Sequence, residues 1–165
     1  MSTSNAPQPA TSIDACTSDG FHLNNGVKTS GGKGVLLVGG ECFLWDPWSA
    51  VQSTKSTTSA TSTTSGQSDL LDARGTLHLP EPAWSLLSLL HPKPDLLLLG
   101  TGARLQMLSK PTREYISRVL GLRVDVMDTA NARAAYNLLA QERGVEGGGG
   151  VGAVMLPLGW TGAKR

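Results

Sequence analysis

Charge is scarce in this chain: Asp, Glu, Lys and Arg supply 16% of its 165 residues, and the formal net charge is +1. Phosphate recognition needs a concentrated basic face, so this composition argues against a strongly electrostatic nucleic-acid binder, and no nucleic acid is expected as a partner. The basic residues are scattered, and Lys164-Arg165 is too short to form a patch. Cysteine is nearly absent. Cys16 and Cys42 cannot build a disulfide framework. One bridge between them is conceivable, but two reduced thiols in a reducing compartment are the expected state. Histidine is also sparse. His22, His78 and His91 lie far apart, and neither cysteine has a second ligand at zinc spacing, so no metal and no cofactor is expected.

Long apolar runs are missing too. The longest candidate, Leu86 to Leu99, is broken by His91-Pro-Lys-Pro-Asp95, so no segment reaches the length of a membrane span. No basic stretch is followed by an apolar one of the kind that makes a secretory signal. A mitochondrial presequence is Arg-rich and poor in acids. Here Asp14 and Asp19 precede the first basic residue, Lys28, and no presequence is evident. Two segments also lack the means to build a core. From Ser49 to Ser68, 13 of 20 positions are Ser or Thr. Such a stretch buries too little apolar surface to offset its ordering entropy and is expected to be disordered. Residues 1–19 are expected to be a flexible N-terminal segment and 161–165 a tail. The single domain then spans 20–160, with 49–68 as an insertion, leaving about 120 residues for a core, enough for one self-standing unit.

What is present falls into short elements. Gly20 to Asn24 alternates apolar and polar residues, as a half-buried strand does. Val35 to Val38 and Cys42 to Trp45 flank Gly39-Gly40-Glu41 and predict a β-hairpin. Together these form an N-terminal antiparallel meander. Gly31 to Gly34 contains Gly-Lys-Gly, but the Walker spacing is absent and strand residues follow, so it reads as a hairpin connection. Pro80-Glu-Pro82 introduces a helix over Ala83–Leu90, with Trp84, Leu86, Leu87 and Leu90 on one face. From Asp95 to Pro157 the order is strand, helix, strand, helix, strand, the order of a parallel α/β unit. Leu96 to Leu99 is apolar throughout, as in a strand covered on both faces. Ser109 is placed to cap the next helix, with Pro111 in its first turn and Tyr115, Ile116, Val119 and Leu120 as its buried face. Leu122, Val124 and Val126 alternate with polar residues. Asp128-Thr129 then leads a helix over about Ala130–Glu142, with Ala134, Ala135, Leu138 and Leu139 as its packing face. Val151 to Leu156 is the last strand.

In open α/β sheets, ligands gather beyond the carboxyl ends of the strands. Those ends carry Gly100, Thr101 and Gly102, then Asp128, Thr129 and Asn131, with Asn137 further along the same helix. Glycines let backbone N–H groups approach a ligand, the threonines offer hydroxyls, and Asp128 offers a carboxylate. This makes a candidate pocket. Caps and turns use the same residue types for structure alone. No nucleophile–base pair is visible, since Ser109 and the other serines lack an elbow motif.

Several stretches resemble one family of small proteins. They are Leu96-Leu-Leu-Leu-Gly-Thr-Gly102, Gly121-Leu-Arg-Val-Asp-Val-Met-Asp-Thr-Ala-Asn-Ala132 and Tyr136-Asn-Leu-Leu139. Gly20-Phe-His-Leu-Asn-Asn25, Val35-Leu-Leu-Val38, Phe43-Leu-Trp45 and Pro94-Asp-Leu-Leu97 extend the likeness upstream. The family includes the mitochondrial complex I (NADH:ubiquinone oxidoreductase) assembly factor 3 proteins and uncharacterised prokaryotic ones. The resemblance implies a three-layer α/β fold with a central mixed or parallel sheet. It implies a non-enzymatic role, without catalytic residues, in building the matrix arm of complex I. The partners implied are other assembly factors and matrix-arm subunits, at the matrix side of the mitochondrial inner membrane. The family's recurring positions map to Gly100, Gly102, Asp128, Thr129 and Asn137. The Ser49–Ser68 insertion and the Gly147–Gly150 loop depart from its pattern. The alternative is a small-molecule-binding α/β domain with an enzymatic activity at the candidate pocket.

Overall fold

The computed structural model describes residues 12–49, 70–72, 74–90, 93–143 and 150–160. The expected tail, and the Ser/Thr-rich insertion apart from Ser49, lie outside the described residues. Five strands form one mixed sheet in the order β4-β3-β7-β5-β6. They are β3 (Gly34–Val38), β4 (Glu41–Trp45), β5 (Leu96–Thr101), β6 (Val124–Met127) and β7 (Val151–Leu156). β5 runs parallel to both β6 and β7, while β3 is antiparallel to β7 and β4. The β5–β6–β7 run is the parallel unit the sequence predicts. β5 and β7 are buried along their whole length. Their side chains alternate between two cores, Leu97, Leu99, Val154 and Leu156 on one face, Leu96, Leu98, Ala153 and Met155 on the other. β6, at the sheet edge, is only half-covered, as its alternation predicts.

The expected meander is divided between two sheets. β3 and β4 close across Gly39-Gly40, whose φ values of +60° and +79° suit the tight turn. The other pair stands apart: β2 (Phe21–Leu23) pairs with β1 (Ile13–Cys16) in a separate two-stranded sheet. β1 corrects the reading of residues 1–19 as a flexible segment for Ile13–Cys16, while residues 1–11 lie outside the described residues. Ile13 is 1% exposed and belongs to the core. A four-residue strand leaves too short an alternation to stand out in the sequence.

The face beneath β1 and β2 is covered by α3 (Thr129–Arg143). Its packing face matches the expected one only in part. Ala132, Tyr136 and Ala140 are buried with Thr129, whereas Ala134 is exposed and Leu138 is 57% exposed. Ala135 and Leu139 flank the contact, half-buried. The cause is at the helix start, where Thr129 turns its side chain into the protein. Burial then follows at three, seven and eleven residues onward, the helical repeat counted from that anchor.

The opposite face is covered by irregular structure. A 3₁₀ turn (Glu81–Trp84) runs into α1 (Ser85–Leu89), and α2 (Lys110–Glu114) runs into a π turn (Tyr115–Val119). Trp84 and Leu87 are fully buried, as the helical face predicts. Ser109 caps α2, its Oγ accepting from the Thr112 N–H. Ile116 and Leu120 are buried, but Val119 is 65% exposed. The π turn accounts for this. Leu120 N–H donates to the Tyr115 carbonyl five residues back, and the widened turn rotates Val119 off the core face.

Candidate functional site

Gly100, Gly102 and Thr129 meet in one knot at the carboxyl end of β5. The Thr129 hydroxyl donates to the Leu156 carbonyl at 2.6 Å and accepts from the Gly102 N–H at 2.8 Å. Thr129 N–H donates back to the Gly102 carbonyl at 2.9 Å. One fully buried side chain thus joins β5, α3 and β7. Gly100 permits the approach, because a Cβ there would lie 2.9 Å from Thr129 Oγ1 and 3.0 Å from Met155 Cγ. Gly102 has φ +90°, and a Cβ on it would meet the Trp160 carbonyl oxygen at 2.3 Å. The Pro157–Trp160 turn therefore packs directly over Gly102, and the Ala103 N–H donates to the Trp160 carbonyl.

The other candidate residues serve neighbouring contacts. Thr101, fully buried, donates to the Arg104 carbonyl at 2.6 Å and accepts from Gln106 N–H at 3.1 Å, which fixes the loop after β5. Asp128 accepts from the backbone N–H and the side-chain amide of Asn131 at the start of α3. Asn137 lies two turns away from that pair. Its Oδ1 accepts from Ile13 N–H at 2.7 Å and its Nδ2 donates to the Ile13 carbonyl at 3.0 Å. An amide side chain here pairs with a strand residue as another strand would, and it ties β1 to α3. Arg133 donates to the Ile13 and Asp14 carbonyls beside it. The structure thus brings Gly100, Gly102 and Thr129 together, sets Thr101, Asp128 and Asn131 around them, and leaves Asn137 on a separate junction.

A different place in the fold is concave. Short pairing around Leu77 and Leu108 brings the segment before the 3₁₀ turn beside the segment before α2. Between them opens a cleft of about 360 Å³. Pro80, Pro82 and Pro111 wall it together with Leu79 and Tyr115. His78, Glu81 and Thr112 bring polar atoms to it. His78 Nδ1 lies 2.9 Å from Ser109 Oγ, and Ser109 Oγ lies 2.9 Å from Thr112 Oγ1. This is a nucleophile–base contact of the kind the sequence did not display. Ser109, however, does not line the cleft, and its oxygen is engaged in capping α2. Its effect is to fix the imidazole and the cleft wall. No sequence signal pointed here, because the partners are 31 residues apart and meet only through the Leu77–Leu108 bridge.

A second cleft, of about 270 Å³, lies at the other end of the parallel strands and includes Arg123, Asp125 and the Asp95–Arg143 ion pair, 3.7 Å apart. Neither cleft includes any of the seven candidate residues. Cys16 and Cys42 are free and half-buried. Burial pushes the Cys42 thiol up to about 11. Burial also raises Cys16, against the opposing pull of Arg133. No group of three or more metal-ligating side chains occurs among the described residues.

The family described as "Protein of unknown function (DUF498/DUF598)" matches residues 13–155. A Danio rerio protein named NADH dehydrogenase (ubiquinone) 1 alpha subcomplex assembly factor 3 is 42% identical over 59 residues, 36% of this chain and 33% of that protein. The Homo sapiens protein of the same name is 36% identical over 69 residues, 42% of this chain and 37% of that protein. The match thus spans about a third of the length of these curated relatives. Among solved structures, a Xanthomonas campestris protein superimposes with a TM-score of 0.59 at 20% identity, covering 98% of this chain and 96% of that one. A Bordetella pertussis protein described as an Mth938-like domain gives 0.50 at 23% identity, covering 96% and 93%. Likeness at this identity establishes a shared fold.

Proposed function

We propose, on the premise that this chain belongs to the DUF498/DUF598 family, that it is a non-enzymatic assembly factor for respiratory complex I. What carries the reading is its likeness to proteins named as complex I assembly factor 3. The chain acts through protein contacts with other assembly factors and with subunits of the matrix arm, peripherally, at the matrix side of the mitochondrial inner membrane. Among the described residues no helix is long and apolar enough to cross a membrane. The polar atoms of the Gly100–Gly102 and Thr129 knot are committed to the fold, which suits a role without catalysis. Exposed apolar side chains supply contact surface. Leu89, on the helix that Trp84 leads, is 81% exposed, and Leu105 and Met107 are 56% and 58% exposed.

Deletion of the gene, followed by native gels of mitochondrial membranes stained for NADH dehydrogenase activity, tests the reading. Loss of assembled complex I, restored by the wild-type gene, is the expected result. Intact complex I in the deletion strain overturns it. Leu89→Asp then asks where docking occurs: partner co-purification should fall while the melting temperature holds.

A further inference from the structure

The cleft between the 3₁₀ turn and α2 has four properties of a binding site. Its volume of about 360 Å³ falls in the range of ligand pockets. Its walls are preformed, because three prolines have fixed φ and the imidazole is held through Nδ1 by the Ser109 cap. Tyr115 is where the π turn begins, and such turns recur at functional sites. Glu81 and the Tyr115 hydroxyl have no hydrogen-bond or ion-pair partner among the described residues, and Nε2 of His78 has none either.

The sign of the ligand follows from which groups remain free. An anion needs donors. The Tyr115 hydroxyl is one, but the Ser109 hydroxyl donates to Thr112 Oγ1, so His78 Nδ1 donates to Ser109 and Nε2 is left as an acceptor. The start of α2 adds no donor to the cleft. There Pro111 has no N–H, the Thr112 N–H is taken by Ser109 Oγ, and the Arg113 N–H is taken by the Ser109 carbonyl. Glu81 would repel an anion. A cation meets the reverse: a carboxylate, a ring nitrogen and an aromatic ring beside apolar walls that suit a methylene stem. We infer that this cleft receives a basic side chain, arginine or lysine, presented by a partner protein. The inference rests on the protein-contact reading above and names the chemistry of one contact.

The test titrates isotope-labelled full chain with three capped tripeptides, acetyl-Ala-Arg-Ala-amide and its Gln and Glu counterparts, followed by amide chemical shifts. The Arg peptide should give saturable shifts at His78, Glu81, Thr112 and Tyr115. Glu81→Gln should weaken its binding about fivefold, and Tyr115→Leu about threefold. Both variants should keep the wild-type amide pattern elsewhere, which separates lost binding from lost folding. Equal shifts with the Gln peptide, stronger shifts with the Glu peptide, or none at tens of millimolar Arg peptide each overturn the inference. Complementation of the deletion strain keeps the two claims distinct. If the cleft fails but assembly is right, Glu81→Gln still restores complex I. If assembly fails but the cleft is right, the peptide shifts persist although complex I is intact without the gene.

Discussion

The two faces of the sheet are covered by opposite means. One carries α3, a regular helix of 15 residues, brought close by small side chains at Ala132 and Ala140. The other carries loops, short helical turns and all four tryptophans, Trp45, Trp48, Trp84 and Trp160, each at most 8% exposed. Regular cover needs a fixed helix phase and little bulk. Irregular cover leaves uneven gaps that large rings fill. Trp45 and Trp84 pack with ring centres 5.7 Å apart, and each indole N–H finds a carbonyl, Ala83 for Trp45 and Leu79 for Trp84. The cleft opens on this irregular face, between the 3₁₀ turn and α2.

The contrast can be broken from either side. The largest effect is expected on the tryptophan face. Trp84→Ala removes a fully buried ring and should cost about 3–5 kcal/mol, read as a lower urea midpoint. A loss below about 1 kcal/mol would mean that the loops re-close around the gap. On the helix face the sensitive element is a hydroxyl. Thr129→Val keeps the volume but leaves the Gly102 N–H and the Leu156 carbonyl without that partner. It should cost about 2–4 kcal/mol, and Thr129→Ser should recover most of it. Equal losses in the two variants would assign the helix phase to the methyl group instead.

The smallest effect is a dependence on pH. Cys42, half-buried at the edge of the helix-face core, has its thiol raised by burial from 9.0 to about 11. A raised acid favours the folded state in its neutral form. That contribution is fully present below pH 9.0 and disappears as pH rises toward about 11. Tyr136 is also raised, by burial first and by the charge of Cys42 second, so its loss follows in the same direction. Denaturant midpoints measured across this window should fall, and Cys42→Ala should flatten the first part of the fall. An unchanged slope in that variant would remove Cys42 from the account.

Local chemistry is legible in the order of residues alone. The leucine run of β5, the Gly39-Gly40 turn and the Ser109 cap with Pro111 behind it each depend on neighbours a few residues away. What escapes such reading depends on distant partners. β1 is held by Asn137, 124 positions further on, and no local pattern announces that pairing. The face of α3 is set by where Thr129 points, which requires β5 and β7 to be in place. Val119 follows helical spacing, but the π turn widens the helix under it. The Gly-Thr-Gly and Asp-Thr segments are recognisable as a pair, and the structure joins them through Thr129. Their hydrogen bonds cannot be read without knowing that Leu156 and Trp160 fold over them.

The position of β7 bears on how the protein reaches this state. It is the last described strand in the chain and the third of five in the sheet, between β3 and β5. Until Val151–Leu156 enters, the β3–β4 hairpin and the β5–β6 pair share no hydrogen-bonded edge. The residues of both half-sheets therefore precede in the chain the strand that joins them. Contacts of such long sequence separation form slowly, and the open edges stay available for mispairing meanwhile. A chain stopped short of residue 151 would keep both edges unpaired, prone to aggregate rather than to fold into a smaller version of this domain.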